Sequence, residues 1–105
     1  MTRIIVLLNL KPGKSAADYE SWATTTDLPT VNALESIDSF TLHQSVSILG
    51  SDDKPPYDYI EVLDVKDMDL FFGEVSTEAM GRIAAEFNEW STPIFIVTKA
   101  VGGAA

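Results

Sequence analysis

Residues 57–65, Tyr-Asp-Tyr-Ile-Glu-Val-Leu-Asp-Val, constrain the fold more than any other stretch of the chain. Tyr57, Tyr59, Glu61, Leu63 and Val65 occupy one set of alternate positions, and Asp58, Ile60, Val62 and Asp64 the other. Both faces therefore carry large apolar residues at their centres, and a strand of that kind belongs inside a sheet. Its β-branched and aromatic content agrees, whereas a helix gains nothing from two Asp and a Glu at this spacing. Glu61 is the exception: beside Tyr59 and Leu63 it lies either on a wet surface or in a pocket. A central strand rarely leaves a carboxylate unpaired. Its structural partner would be Arg3 or Lys99 on a neighbouring strand.

The rest of the chain supplies the company such a strand needs. Residues 3–10 are a nearly continuous apolar run stopped by Lys11-Pro12-Gly13, which predicts a strand buried on both faces. Ser15 can cap a helix over 16–23, with Tyr19, Trp22 and Ala23 on one face. Three threonines weaken that helix and Pro29 resets it, leaving Asp27 at the junction before a short turn over 31–34. Asp38 and Ser39 are expected to close this segment. Residues 40–48 alternate as a half-buried strand, with Phe40, Leu42, Gln44, Val46 and Ile48 opposite Thr41, His43, Ser45 and Ser47. After the 57–65 strand, Asp67 and Asp69 open a helix that Gly73 is expected to interrupt. Ser76 or Thr77 then caps a helix over 78–90 with Met80, Ile83, Ala84, Phe87 and Trp90 as its apolar stripe. Pro93 is expected to end the helical region, 94–100 to form the last strand, and residues 102–105 to fray.

The order β-α-β-β-α-β predicts a single α+β domain over residues 1–105, with a four-stranded antiparallel sheet and both helices on one face. Right-handed crossovers put the first and third strands in the centre. Two layers leave one sheet face bare. With Leu63, Phe95 or Ile96 and part of the first strand in need of cover, a homodimer through the open sheet face is expected.

Composition narrows the function. Sixteen acids against seven bases give a net charge of −9, which repels nucleic acid and anionic membrane surfaces. The start of the chain shows neither a cleavage signal nor a spanning segment, so a cytoplasmic protein is expected. With no Cys and one His, thiolate chemistry and ordinary metal-ligand spacings are lacking, and no metal is expected. Any imidazole chemistry must pass through His43.

Two segments carry a family resemblance: Tyr19-Glu20-Ser21-Trp22 with Asp27-Leu28-Pro29, Ala33-Leu34 and Phe40, and Tyr57-Asp58-Tyr59-Ile60 through Ser76-Thr77-Glu78 to Pro93-Ile94. On these the chain resembles the dimeric α/β barrel superfamily, of ferredoxin-like fold, and within it the EthD-type branch. At full length it is similar to the RedY-like, HapK-type group associated with prodigiosin-type tripyrrole pigment pathways. EthD-type relatives often have His-Leu-Pro or His-Ile-Pro where this chain has Asp27-Leu28-Pro29, a departure that bears on any chemistry carried over through that histidine. The resemblance implies a pocket between sheet and helices for an aromatic intermediate, often without metal or organic cofactor. It also implies secondary metabolism on pyrrole or indole compounds, with a pathway enzyme as a further partner.

Three side chains are candidate acids or bases. Asp27 near aromatic walls could move a proton on a ring, although Asp is also favoured as a cap for the turn after Pro29. His43 could titrate in a pocket or hydrogen-bond across the dimer interface. Glu61 has the two readings given above. Tyr19, Trp22, Tyr59, Phe87 and Trp90 could line a site for a flat ligand, although aromatics at helical spacing are more often core. Arg82 could hold a ligand carboxylate or pair with Glu78 or Glu86. Three functions stay open: a cofactor-independent enzyme assisting proton transfer (cyclisation, condensation, tautomerisation or decarboxylation), a non-catalytic carrier of a reactive intermediate, and a stress-responsive dimer with no small ligand.

Overall fold

A computed structural model describes residues 1–103; Ala104 and Ala105, part of the tail expected to fray, lie outside the described residues. The elements are β1 (Thr2–Leu10), α1 (Ala16–Trp22), a π-helical turn (Ala23–Asp27), α2 (Leu28–Asn32), β2 (Ile37–Gln44), β3 (Tyr59–Val65), α3 (Met68–Val75), α4 (Glu78–Trp90) and β4 (Ser91–Val97). The sheet order is β2-β3-β1-β4, antiparallel throughout, so the two most apolar strands are central as expected. All helices lie on one face, and the fold is the ferredoxin-like α+β arrangement.

Caps set the helix starts. The Asp18 N–H donates to Ser15 Oγ, the Leu70 N–H to Asp67 Oδ1 and the Met80 N–H to Thr77 Oγ1, each meeting an N–H that the helix leaves without a partner. Gly73 does not interrupt α3, which runs through it to Val75. Glu74 on that last turn accepts the backbone N–H groups of Glu35 and Ser36, both at 2.9 Å, and ties α3 to the start of β2.

Two strands are shifted from the sequence reading. β2 begins at Ile37 because Asp38 is bulged out between the pairs Ile37↔Val65 and Ser39↔Asp64. The bulge puts Ile37 and Phe40, three apart, on the same buried face, which strict alternation forbids. The strand stops at Gln44, and Val46 and Ile48 lie in the exposed loop. β4 starts directly at the end of α4, where the Ser91 hydroxyl donates to the Phe87 carbonyl oxygen at 3.0 Å. Pro93 therefore lies within β4, opposite Leu8, and is tolerated because β4 is an edge strand.

The core forms between sheet and helices around Val6, Leu8, Tyr19, Tyr59 and Val65, all nearly or fully buried. The other sheet face presents two cross-strand rows, Val62–Ile5–Ile96 and Ile60–Leu7–Ile94, bordered on β2 by Thr41 and His43. Of the residues expected there, Ile96, the alternative to Phe95, lies on this face, whereas Leu63 and Phe95 point to the helix side. Ile94 and Ile96 remain 47% and 42% exposed, so the face is apolar and open.

Candidate functional site

A cavity of about 340 Å³ opens between the sheet and α2, α3 and α4. Its floor is the helix-facing side of β1, β3 and β4, and its walls are Val31, Met68, Phe71, Met80 and Phe87. Phe72, Phe95 and Val97, each more than half exposed, rim its mouth. Asp27 and Glu61 are the ionisable groups among the described lining residues.

The geometry of β3 explains Glu61. Its cross-strand neighbours are Val6 on β1 and Leu42 on β2, and Phe95 completes the row through Val6. None of these is a cation. Arg3 bonds to Asp64 on the opposite face, and Lys99 lies exposed beyond β4, so the expected ion pair does not form. Glu61 is 2% exposed, and its Oε2 has no hydrogen-bond partner. Burial, reinforced by the charge of Asp27, pushes its carboxyl up to about 8.

Asp27 reaches the same cavity through an irregularity of the helix. The Thr24 and Thr25 hydroxyls donate to the carbonyl oxygens of Glu20 and Ser21, and Pro29 offers no N–H to the turn before it. The Leu28 N–H bonds to the Ala23 carbonyl oxygen, five residues back, and the resulting π-turn continues into α2 without a break. Asp27 therefore has helical backbone angles and makes no capping hydrogen bond, which removes the cap reading. Burial, and secondarily the charge of Glu86, pushes its carboxyl up to about 6. Values of about 6 and 8 leave the two carboxyls with roughly one proton between them at neutral pH, both in a single apolar chamber.

The remaining sequence candidates fall in different places. Phe87 lines the cavity. Tyr19, Trp22 and Trp90 form a layer of packed rings beside it, with Trp22 stacked on Phe87 at 6.4 Å and Tyr19 within 6.1 Å of both tryptophans. The Tyr19 hydroxyl and Trp22 Nε1 are buried without partners. Burial, with Glu61, Asp27 and Tyr59 nearby, raises the Tyr19 phenol well above its ordinary range. Tyr59 donates its hydroxyl to Glu20 Oε2 at 2.6 Å and borders a separate groove at the far end of β1 with Lys11, Lys14 and Lys54. His43 stands exposed on the open sheet face, its Nε2 3.0 Å from Thr41 Oγ1, away from the cavity. Arg82 lies on the exposed outer side of α4, so it is not a cavity residue, and among the described residues it forms no ion pair with Glu78 or Glu86.

Sequence reasoning missed α3 as a wall. Met68, Phe71, Phe72 and Val75 recur at i, i+3, i+4 and i+7, yet no residue of α3 is fully buried, because the stripe lines the cavity, with Met68 and Phe71 also packed against the edge of the core. The spacing itself was the available signal. Among the described residues no group of three or more His, Cys, Asp or Glu could hold a metal ion, and no helix is long and apolar enough to cross a membrane.

The model of the family described as REDY-like protein HapK matches residues 2–101. Among solved structures, HapK from Hahella chejuensis superposes with a TM-score of 0.80 at 23% identity, covering 100% of this chain and 97% of that one. A mutant form of SnoaB from Streptomyces nogalater, a cofactor-independent oxygenase, gives 0.76 at 14% identity, covering 97% and 94%. A dimeric protein of unknown function and ferredoxin-like fold from Bacteroides fragilis gives 0.65 at 8% identity, covering 94% and 95%. No curated protein sequence matches the chain.

Proposed function

The chain belongs to the REDY-like HapK family, and we propose that it is a cofactor-independent protein of secondary metabolism, assisting a proton-transfer step on a pyrrole or indole intermediate of a prodigiosin-type pathway. The observation that carries this reading is the pair Asp27 and Glu61, buried, without cations and sharing one apolar cavity. Ionised Asp27 takes a proton from the ring or its substituent, and protonated Glu61 returns one elsewhere on the same molecule. That exchange serves tautomerisation directly and the cyclisation, condensation or decarboxylation steps that pass through a tautomer. The walls orient a flat ligand and exclude water. SnoaB, described as acting without a cofactor on a related scaffold, lends support by analogy.

The protein would act as a cytoplasmic homodimer joined through the rows Val62–Ile5–Ile96 and Ile60–Leu7–Ile94. An apolar face of this kind is rarely left in water, and His43 at its border would then belong to the interface. The cavity lies on the other side of the sheet and stays accessible.

A carrier needs the same apolar walls but gains nothing from two buried, unpaired carboxyls, each of which costs folding energy. Titration with indole and bipyrrole compounds, followed by mass analysis, separates the readings. Saturation with a new product mass supports the enzyme, and saturation with unchanged ligand supports the carrier. Absence of saturable binding removes both and leaves a dimer without a small ligand.

A further inference from the structure

From the distribution of charge around the cavity we infer its ligand class: a planar cation carrying adjacent N–H donors, of the amidinium or protonated-imine kind, while carboxylate-bearing analogues of the same shape are turned away. The inference rests on the cavity being the binding site and adds the charge of its occupant.

Among the described lining residues the ionisable groups are two carboxyls, with no Lys, Arg or His. Around it, α1 contributes Tyr19 and α4 contributes Glu86, whose charge acts on Asp27, while Lys14 sits over the Trp90 ring, 5.2 Å from its centroid, and does not line the cavity. Arg3 is held by Asp64 on the opposite sheet face, and Arg82 lies on the outer side of α4. Glu61 Oε2 is a buried acceptor with no donor, a need that a ligand N–H satisfies and a ligand oxygen anion worsens. Paired N–H donors can meet a carboxylate through two parallel charge-assisted bonds. The rings of Phe71, Phe72, Phe87 and Phe95 offer π faces that favour a cation over an anion. An entering carboxylate would lose its hydration beside ionised Asp27, with no cation in the described lining to pair with it.

Uptake of the cation has a proton balance. At neutral pH the pair holds about one proton, and the bound cation favours the doubly ionised pair. For a ligand that arrives as the neutral base, the carboxyl O–H of Glu61 breaks and its proton passes to the ligand nitrogen, which is the acid role proposed for Glu61. A ligand already charged, such as benzamidine, displaces that proton to solvent, and no electrons change hands in either case.

Benzamidine, benzamide and benzoate share one shape and differ in charge. Calorimetric titration of the intact protein at pH 7.5 with each of them, and with indole as an uncharged probe of the cavity, tests the inference. Benzamidine is expected to bind about tenfold tighter than benzamide and roughly a hundredfold tighter than benzoate. Its heat should differ between buffers of high and low ionisation enthalpy, as release of up to about one proton requires. In Glu61→Gln the advantage of benzamidine over benzamide should shrink to a few-fold. Equal binding of all three, or tightest binding of benzoate, overturns the inference. Saturation by indole with none by the charged series overturns it while leaving the cavity reading intact, and no saturation by any of the four removes both. If the variant does not fold, the ranking in the unaltered protein decides.

Discussion

Arg3 forks onto Asp64, Nε to Oδ1 at 2.8 Å and Nη2 to Oδ2 at 3.1 Å, and leaves Glu61 of the same strand on the opposite face without a cation. The one ion pair among the described residues thus stabilises a half-buried carboxylate on the outer face of the sheet. The buried carboxylate beside Asp27 has only the neutral form as a refuge. Asp64 lies below the ordinary carboxylate range through its bonds with Arg3, while Glu61 lies far above it through burial.

Stability should therefore depend on pH in a way that Glu61→Gln isolates. The folded protein holds the Glu61 proton up to about pH 8, whereas an unfolded chain releases it near the ordinary value of 4.5. Between those limits the folded state binds more protons, so this residue's contribution falls as pH rises. Urea unfolding at pH 5 and pH 9 should show little difference between the variant and the parent at the lower pH. At the higher pH the variant should be more stable by roughly 3 to 5 kcal/mol. Equal stability at both values would place the carboxylate in water.

If the pair performs acid–base chemistry, Asp27→Asn should lower turnover about a hundredfold or more. The limb of the pH–rate profile near 6 should vanish with it, since Asp27 titrates there. An unchanged profile in steady-state assays would assign that limb to another group.

The Tyr19 and Tyr59 hydroxyls should respond in opposite ways. Tyr59→Phe removes the 2.6 Å bond to Glu20 and should cost about 1 to 2 kcal/mol in thermal unfolding. Tyr19→Phe removes a buried hydroxyl with no partner and should be neutral or stabilising by up to about 1 kcal/mol. A large loss for Tyr19→Phe would reveal a bound water or ligand group that the hydroxyl serves.

Phe72 stands at the mouth and is 59% exposed. Phe72→Ala should weaken indole binding about tenfold yet shift unfolding by no more than roughly 0.5 kcal/mol. Comparable losses in both measurements would mean that α3 belongs to the core rather than to the cavity wall.

For the open sheet face, Ile96→Lys places a charge in the Val62–Ile5–Ile96 row. Light scattering should find the parent dimeric and the variant monomeric with intact circular dichroism. A monomeric parent at micromolar concentration would exclude this interface.

Element order, strand centrality and the caps Ser15, Asp67 and Thr77 were legible because periodicity and capping act over a few residues. Glu61 likewise stood out as a carboxylate on an apolar strand face. What remained hidden depended on contacts between distant segments. The Asp38 bulge answers to the register of β3, and the extra residue in the turn before α2 aims Asp27 inward instead of capping. His43 and Arg82, plausible by type, were separated from the cavity by the sheet and by α4. Local order along the chain thus set which residues alternate, cap and break. Which carboxylates lose their water together was decided by the packing of remote segments, because desolvation and charge coupling depend on distances in space.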